Sequence, residues 1–271
     1  MSIITISRGS YSRGKEVAEK VAAALGYSCI SRDVLLEASE IFNVPEIKLI
    51  RAIRDAPSIL DRFSYGKERY VAYIRAALLR QVQRDNVVYH GLAGHFFLQG
   101  IPHVLKVRII ADMEDRIREE MKRENISAEK AREILKKDDE ERRKWSLSLY
   151  GIDTSDPSLY DMVLHVRTLR VDDVVKIILE AVKLPAFAAT QESQDILNDR
   201  TVAAQVESAL IDEFPRVKVT AKAGEASITI VSGLTFTAAL ANEEKIIRRV
   251  ESVAINLGGA ERVNVKLSHS I

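Results

Sequence analysis

Five short apolar runs, Ile3 to Ser7, Tyr27 to Ile30, Val87 to His90, Val104 to Ile110 and Met162 to Val166, alternate with longer stretches of helical period. A strand that rejoins its sheet through a helix lies parallel to the strand before it. This alternation therefore predicts an α/β fold, a parallel sheet with helices on both faces. The loops at the carboxyl ends of such strands gather in one place and form the site. Gly9 to Lys15, Arg32-Asp33, Gly91 to His95 and Asp112 each follow one of the runs, so they are expected to converge although the sequence scatters them.

The first of these loops reads Gly9-Ser10-Tyr11-Ser12-Arg13-Gly14-Lys15. It lies between Ile3-Ile4-Thr5-Ile6 and an amphipathic stripe of Val17, Ala18, Val21, Ala24 and Leu25, with Gly26 as a helix stop. A strand ending in a glycine-rich turn aims successive backbone N–H groups, and the positive end of the next helix, at one point; a lysine adds a full charge there. Anions collect at such a point, and a nucleotide polyphosphate is the expected ligand. The regular pattern continues with Ser or Thr, whose hydroxyl sits on Mg²⁺, but this chain has Glu16. The metal shell is expected to differ accordingly.

Lys plus Arg total 40 against 39 Asp plus Glu, a net charge of +1, which supplies no general field for nucleic acid or an acidic membrane surface. Any anion site must be local. The lone Cys29 cannot form an internal disulfide and, in an apolar stretch, reads as a buried inert thiol. The start of the chain reads as strand rather than leader, and no apolar run has membrane-spanning length, so a reducing cytoplasm is the expected compartment. His90 and His95 are spaced like no common metal-ligand pair, and Trp145 and Tyr150 read as packing residues.

From Arg116 to Lys144 the pattern is helical and densely charged. It fits a solvated helix laced with short-range ion pairs, and equally a hairpin that closes over a nucleotide with arginines turned inward. Leu184 to about Gln194 has no strong period and reads as a linker. Beyond it, Val202, Val206, Ala209 and Leu210 mark a helix; Val217, Val219, Ala221, then Ile228 and Ile230, mark two strands. Ile246 to Leu257 reads as a second helix and Val263 to Leu267 as a last strand. The expected organisation is a first domain over 1–183, a linker over 184–196 and a small α+β domain of order αββαβ over 197–271.

Several segments carry a resemblance to a known family: Ile3 to Arg8, Gly14-Lys15-Glu16-Val17-Ala18, Ser31-Arg32-Asp33-Val34-Leu35 and Gly91-Leu92-Ala93-Gly94-His95-Phe96. Further on come Glu114-Asp115-Arg116-Ile117 and Asp156-Pro157-Ser158-Leu159-Tyr160-Asp161-Met162-Val163-Leu164. In this order and spacing the first 183 residues resemble the cytidylate kinase-like family of P-loop nucleoside monophosphate kinases, in which a Glu at the place of Glu16 is usual. Two departures stand out. Leu92 occupies a place where members carry an arginine, and Tyr11 and Arg13 are bulkier and more basic than the small residues preferred in the loop.

The resemblance implies ATP and Mg²⁺ as cofactors and phosphoryl transfer to CMP or a related small phosphate acceptor. Such a reaction asks a protein for alignment and charge neutralisation rather than covalent chemistry. Lys15 would bridge the β and γ phosphates, with the loop Gly9, Ser10, Tyr11, Ser12, Arg13, Gly14 and Glu16 around the polyphosphate. Asp33 would orient the acceptor or hold Mg²⁺ through water. Arg142 and Arg143 would be transition-state arginines from the lid, and Arg116 would stack on adenine. Arg51 and Arg54, on one face of a predicted helix, read either as a plain surface face or as a grip on the acceptor phosphate.

By element order and apolar spacing the last 75 residues resemble a BON domain, a small module of bacterial envelope and osmotic-shock proteins associated with phospholipid or small-ligand binding. From Leu197 onward it carries nine Lys plus Arg and nine Asp plus Glu. With no net charge, ligand sensing or self-association is expected there rather than membrane recruitment. An alternative reading is that the P-loop domain has lost transfer and acts as a nucleotide sensor that signals through this module, which Leu92 and the bulky loop favour.

Overall fold

The computed structural model describes residues 2–9, 12–31, 33–49, 66–91, 93–150, 152–232 and 243–269. Five strands, β1 (Ile3–Arg8), β2 (Ser28–Ile30), β3 (Val87–Tyr89), β4 (Val104–Ile110) and β5 (Met162–His165), form one parallel sheet in the order β2-β3-β1-β4-β5. Each coincides with one of the apolar runs to within a residue or two. β1 is central and registers Ile3 with both Val87 and Val104, so its isoleucines have apolar neighbours on the strands to either side.

One face carries α1 (Gly14–Leu25) and α7 (Val171–Ala181). Val17, Ala18 and Val21 of α1 and Val174 and Ile178 of α7 pack on Ile4, Ile6, Val107 and Ile109. The other face carries α3 (Gly66–Val82), where Ile74, Leu78 and Val82 pack on Ile3, Val87 and Val104. Further helices of this part are α2 (Asp33–Ile41), the single turn α4 (Gly94–Phe97), and the antiparallel pair α5 (Met113–Glu124) and α6 (Ala128–Tyr150). The charged helical stretch is thus a hairpin, broken at Asn125, which takes the left-handed φ of 52° that an asparagine tolerates at a helix end. Ile117, Ala131 and Leu135 hold it together.

The C-terminal part has the expected order: α8 (Gln191–Leu210), β6 (Lys218–Lys222), β7 (Glu225–Ser232), α9 (Glu243–Asn256) and β8 (Arg262–His269). β6 and β7 are antiparallel around Ala223 and Gly224, both at positive φ as a tight hairpin turn requires, while β8 returns parallel to β7. α8 starts at Gln191, inside the stretch read as linker. Thr190 and Ser193 exchange side-chain-to-backbone bonds in a capping box, a start signal that carries no apolar period.

α3 is buried nearly all round, including Ala72 to Ile74 and Ala76 to Leu79, because α8 covers the side that the sheet does not. Leu197, Ala204 and Leu210 of α8 belong to the same apolar cluster as Ile74 and Leu78. Polar bonds line the seam: Tyr73 Oη donates to Asp212 at 2.6 Å, Gln83 Nε2 to Asn198 at 3.0 Å, and Arg75 pairs with Glu207. Among the described residues no helix is long and apolar enough to cross a membrane.

Candidate active site

The glycine-rich loop leaves the end of β1 and enters α1. Ser12, fully buried, closes the turn by donating from its N–H and its hydroxyl to Gly9 O, at 3.4 and 3.0 Å. Arg13 then sits at φ 61°, and the helix opens at Gly14, where a Cβ would lie 2.7 Å from Arg8 Cβ. The N-cap residue Arg13 makes no side-chain cap bond, and the first bond back into the helix runs from Val17 N to Arg13 O. The N–H groups of Gly14, Lys15 and Glu16 therefore have no intrahelical acceptor and, with the helix dipole, form an anion-binding end.

Lys15 carries its ammonium into solvent, its side chain 62% exposed and only loosely paired with Glu19 at 3.6 Å. Glu16 is held between Arg13 of the loop at 2.6 Å and Lys20 at 3.3 Å. Lys20 in turn binds Asp172 at 2.7 Å, and Asp172 followed by Glu16 raises its pKa above the ordinary lysine value. Ser10 and Tyr11 lie outside the described residues, as do Arg32, Arg51, Arg54 and Leu92. Asp33 opens α2 after β2, exposed, with Oδ2 accepting from Ser31 N at 3.2 Å.

Arg142 and Arg143, expected to act together from a lid, part company. Arg142 Nη1 donates to Arg8 O at 2.9 Å, which brings α6 over the end of β1, whereas Arg143 turns to Asp153 at 2.8 Å and is 62% exposed. Arg116 is buried, makes two bonds to Asp139 at 2.8 and 2.9 Å, and sets its guanidinium against Gly9. It does not line the neighbouring cleft of about 420 Å³, whose walls include Arg13, Glu16, Lys20, Arg118, Arg167 and Leu169. Sequence reasoning did not single out Arg118 or Arg167, which have no partner motif nearby in the chain.

Nor did it single out a polar cluster at the same end of the sheet. Tyr160 Oη lies 3.3 Å from Ser7 Oγ, 3.5 Å from Arg108 Nη1 and 3.4 Å from His95 Nε2, and donates to Thr154 O at 3.1 Å. His95 packs against the Phe96 and Tyr160 rings; burial, helped by Arg108, pushes its pKa down to about 3. The available signal was Arg108 itself, a second charge after Lys106 in the otherwise apolar β4. The glycines after β3 have a packing reason: a Cβ on Gly91 would meet the Tyr89 hydroxyl at 2.2 Å, and one on Gly94 the ring at 2.4 Å.

A five-stranded parallel sheet of this order, with a glycine-rich turn after its central strand and a helical hairpin over that turn, defines a P-loop kinase-type fold. The pattern of the cytidylate kinase-like family matches residues 3–168, and the chain belongs to that family. It is similar to the cytidylate kinase of Thermococcus kodakarensis, 32% identical over 97 residues, 36% of this chain and about half (49%) of that one. Similarity to the cytidylate kinase of Archaeoglobus fulgidus is 29% over 197 residues, 70% of this chain and 99% of that one. A crystal structure of an uncharacterized protein from Eubacterium ventriosum shares the fold, with TM-score 0.52 at 19% identity, over 67% of this chain and 98% of that one.

Proposed function

We propose that this protein transfers the γ-phosphoryl group of ATP to a nucleoside monophosphate, with CMP the first acceptor to test. The observation that carries the reading is the amino terminus of α1, left without a side-chain cap by Arg13, beside the bond from Ser12 to Gly9 O and the solvent-exposed Lys15 ammonium. ATP supplies the transferable group and Mg²⁺ neutralises charge on its phosphate tail. These residues fit a polyphosphate: the N–H groups of Gly14 to Glu16 donate to it and Lys15 adds a point charge. They offer a metal few ligands, since Glu16 is held by Arg13 and Lys20 and no cluster of three acidic, histidine or cysteine side chains forms among the described residues. The ion would be bound mainly through phosphate oxygens and water, with Asp33 as an outer contact.

Arg142, anchored at the end of β1, would stabilise charge on the group in transfer, and Arg143 would join it if its bond to Asp153 opens. Arg116, buried and pinned by Asp139, would order the hairpin against the loop, and stacking on adenine would require that pair to open. Arg51 and Arg54 are proposed for the acceptor phosphate. In this reading residues 1–183 carry the chemistry, the segment before α8 connects, and α8 onward forms a BON-like regulatory unit in a cytoplasmic enzyme. The test is to mix the full chain with Mg-ATP and a panel of nucleoside monophosphates and follow ADP. Turnover with at least one acceptor is expected. ATP binding without turnover on any acceptor would instead support the sensor reading, which the apolar seam between α3 and α8 favours as a route from nucleotide to C-terminal unit.

A further inference from the structure

Arg108 is a cation that the fold half-buries without supplying, among the described residues, a carboxylate to meet it. It stands on β4 in register with Ser7, one residue before β1 ends and the glycine-rich loop begins. Lys106, two residues back on the same face of the strand, is paired with Asp161 at 2.9 Å. Among the described residues Arg108 has only Tyr160: the hydroxyl at 3.5 Å and the ring, whose centroid is 5.5 Å from Cζ. A guanidinium drawn partly out of water needs an anion or several acceptors, and one long bond and a ring face leave most of its five N–H donors open.

The neighbours hold Arg108 in place without competing for a ligand. The single proton of the Tyr160 hydroxyl goes to Thr154 O, so toward Arg108 and His95 its oxygen is the acceptor. His95 therefore presents Nε2–H to Tyr160, and its ring is neutral because burial and the Arg108 charge both oppose a second proton. An anion reaching this corner meets one oriented positive charge at the carboxyl ends of β1 and β4, the edge where parallel α/β sheets bind ligands.

We infer that Arg108 is a binding residue for the acceptor, gripping a phosphomonoester dianion through paired N–H···O bonds, with Tyr160 as its positioning residue. The role of that phosphate as acceptor rests on the kinase reading above; the grip itself does not.

The test compares wild type, Arg108→Gln and Arg108→Lys for binding of CMP, UMP and AMP, of the matching nucleosides, and of ATP, by calorimetry. Arg108→Gln is expected to weaken monophosphate binding roughly 30- to 100-fold while leaving nucleoside and ATP affinity within about twofold, with the lysine variant in between because a point charge replaces a fork. A merely structural role would lower all three affinities together, and that result overturns the inference, as does unchanged monophosphate binding or no monophosphate binding by wild type. If the glutamine variant does not fold, the lysine variant decides by the same comparison. Turnover separates the two readings. A wild type that phosphorylates an acceptor whose KM Arg108→Gln does not move sinks only the inference, whereas Arg108-dependent monophosphate binding without any turnover sinks only the kinase assignment.

Discussion

Arg116 and Asp139 face each other through two parallel bonds, at 2.8 and 2.9 Å, and so tie the first helix of the charged hairpin to the second directly beside Gly9. The pair is asymmetric: the guanidinium side chain is 9% exposed and the carboxylate 38%. Removing the carboxylate leaves a buried cation with less compensation than it needs, whereas removing both partners does not. Asp139→Ala is expected to destabilise the protein by about 1–2 kcal/mol, discounted for the exposure of Asp139. Asp139→Asn, which keeps an acceptor, should lose about half as much. Urea unfolding of the two variants checks this; equal and negligible losses would show that the pair only decorates the lid.

Lys15→Ala should separate function from stability. Its ammonium is mostly in solvent and among the described residues it pairs only with Glu19, an i,i+4 contact at 3.6 Å, so the melting temperature should move by no more than a degree or two. ATP affinity should fall at least tenfold and turnover by about two to three orders of magnitude, as for loss of a phosphate-neutralising cation. Calorimetry and ADP release on the same sample test both halves; unaltered ATP affinity would remove the basis of the proposed mechanism.

The α3–α8 seam predicts that the two parts unfold together. Leu197 is fully buried in the cluster that also contains Ile74 and Leu78. Leu197→Ala should cost about 2–4 kcal/mol through lost transfer energy and a cavity. It should lower a single melting transition read both by ATP-site fluorescence and by far-ultraviolet dichroism. Two transitions, with only the later or earlier one moved, would mean that the parts fold independently.

Stability should fall in mild acid. In the unfolded chain His95 takes a proton near pH 6.5, but in the fold its pKa is held at about 3 by burial and by Arg108. Between those values the unfolded state binds the extra proton, so stability rises with pH, and this group contributes a loss of roughly 1.4 kcal/mol for each unit of acidification below about 6.5. His90 and His103 are shifted the same way, chiefly by burial. His95→Gln should flatten the slope of unfolding free energy between pH 6.5 and 5 by close to one proton. Identical slopes for variant and wild type would contradict the assignment.

Elements with a strong period were readable from the sequence: the five parallel strands, α1 with its Gly26 stop, and the αββαβ order of the C-terminal part. Gly9, Ser12, Gly14 and Lys15 were readable as a loop because the motif is contiguous. What stayed hidden depends on tertiary packing. The Tyr160 cluster joins residues from β1, α4, β4 and the segment before β5, and no local spacing announces it. The split fates of Arg142 and Arg143, adjacent in sequence, follow from their directions on a helix whose neighbours the sequence does not reveal. The start of α8 was missed because a Thr190–Ser193 cap is polar and short, and the reading relied on apolar period.

The double coverage of α3 constrains how this chain can be divided. A fragment ending before α8 would present to water the side of the helix that now meets Leu197, Ala204 and Leu210, and would strand Tyr73 and Arg75 without Asp212 and Glu207. Such a fragment should be sticky rather than merely less stable. By the same logic, a shorter cousin built on this sheet alone must have repainted that helix with hydrophilic side chains, so the character of one helix tells whether a second unit has ever been seated there.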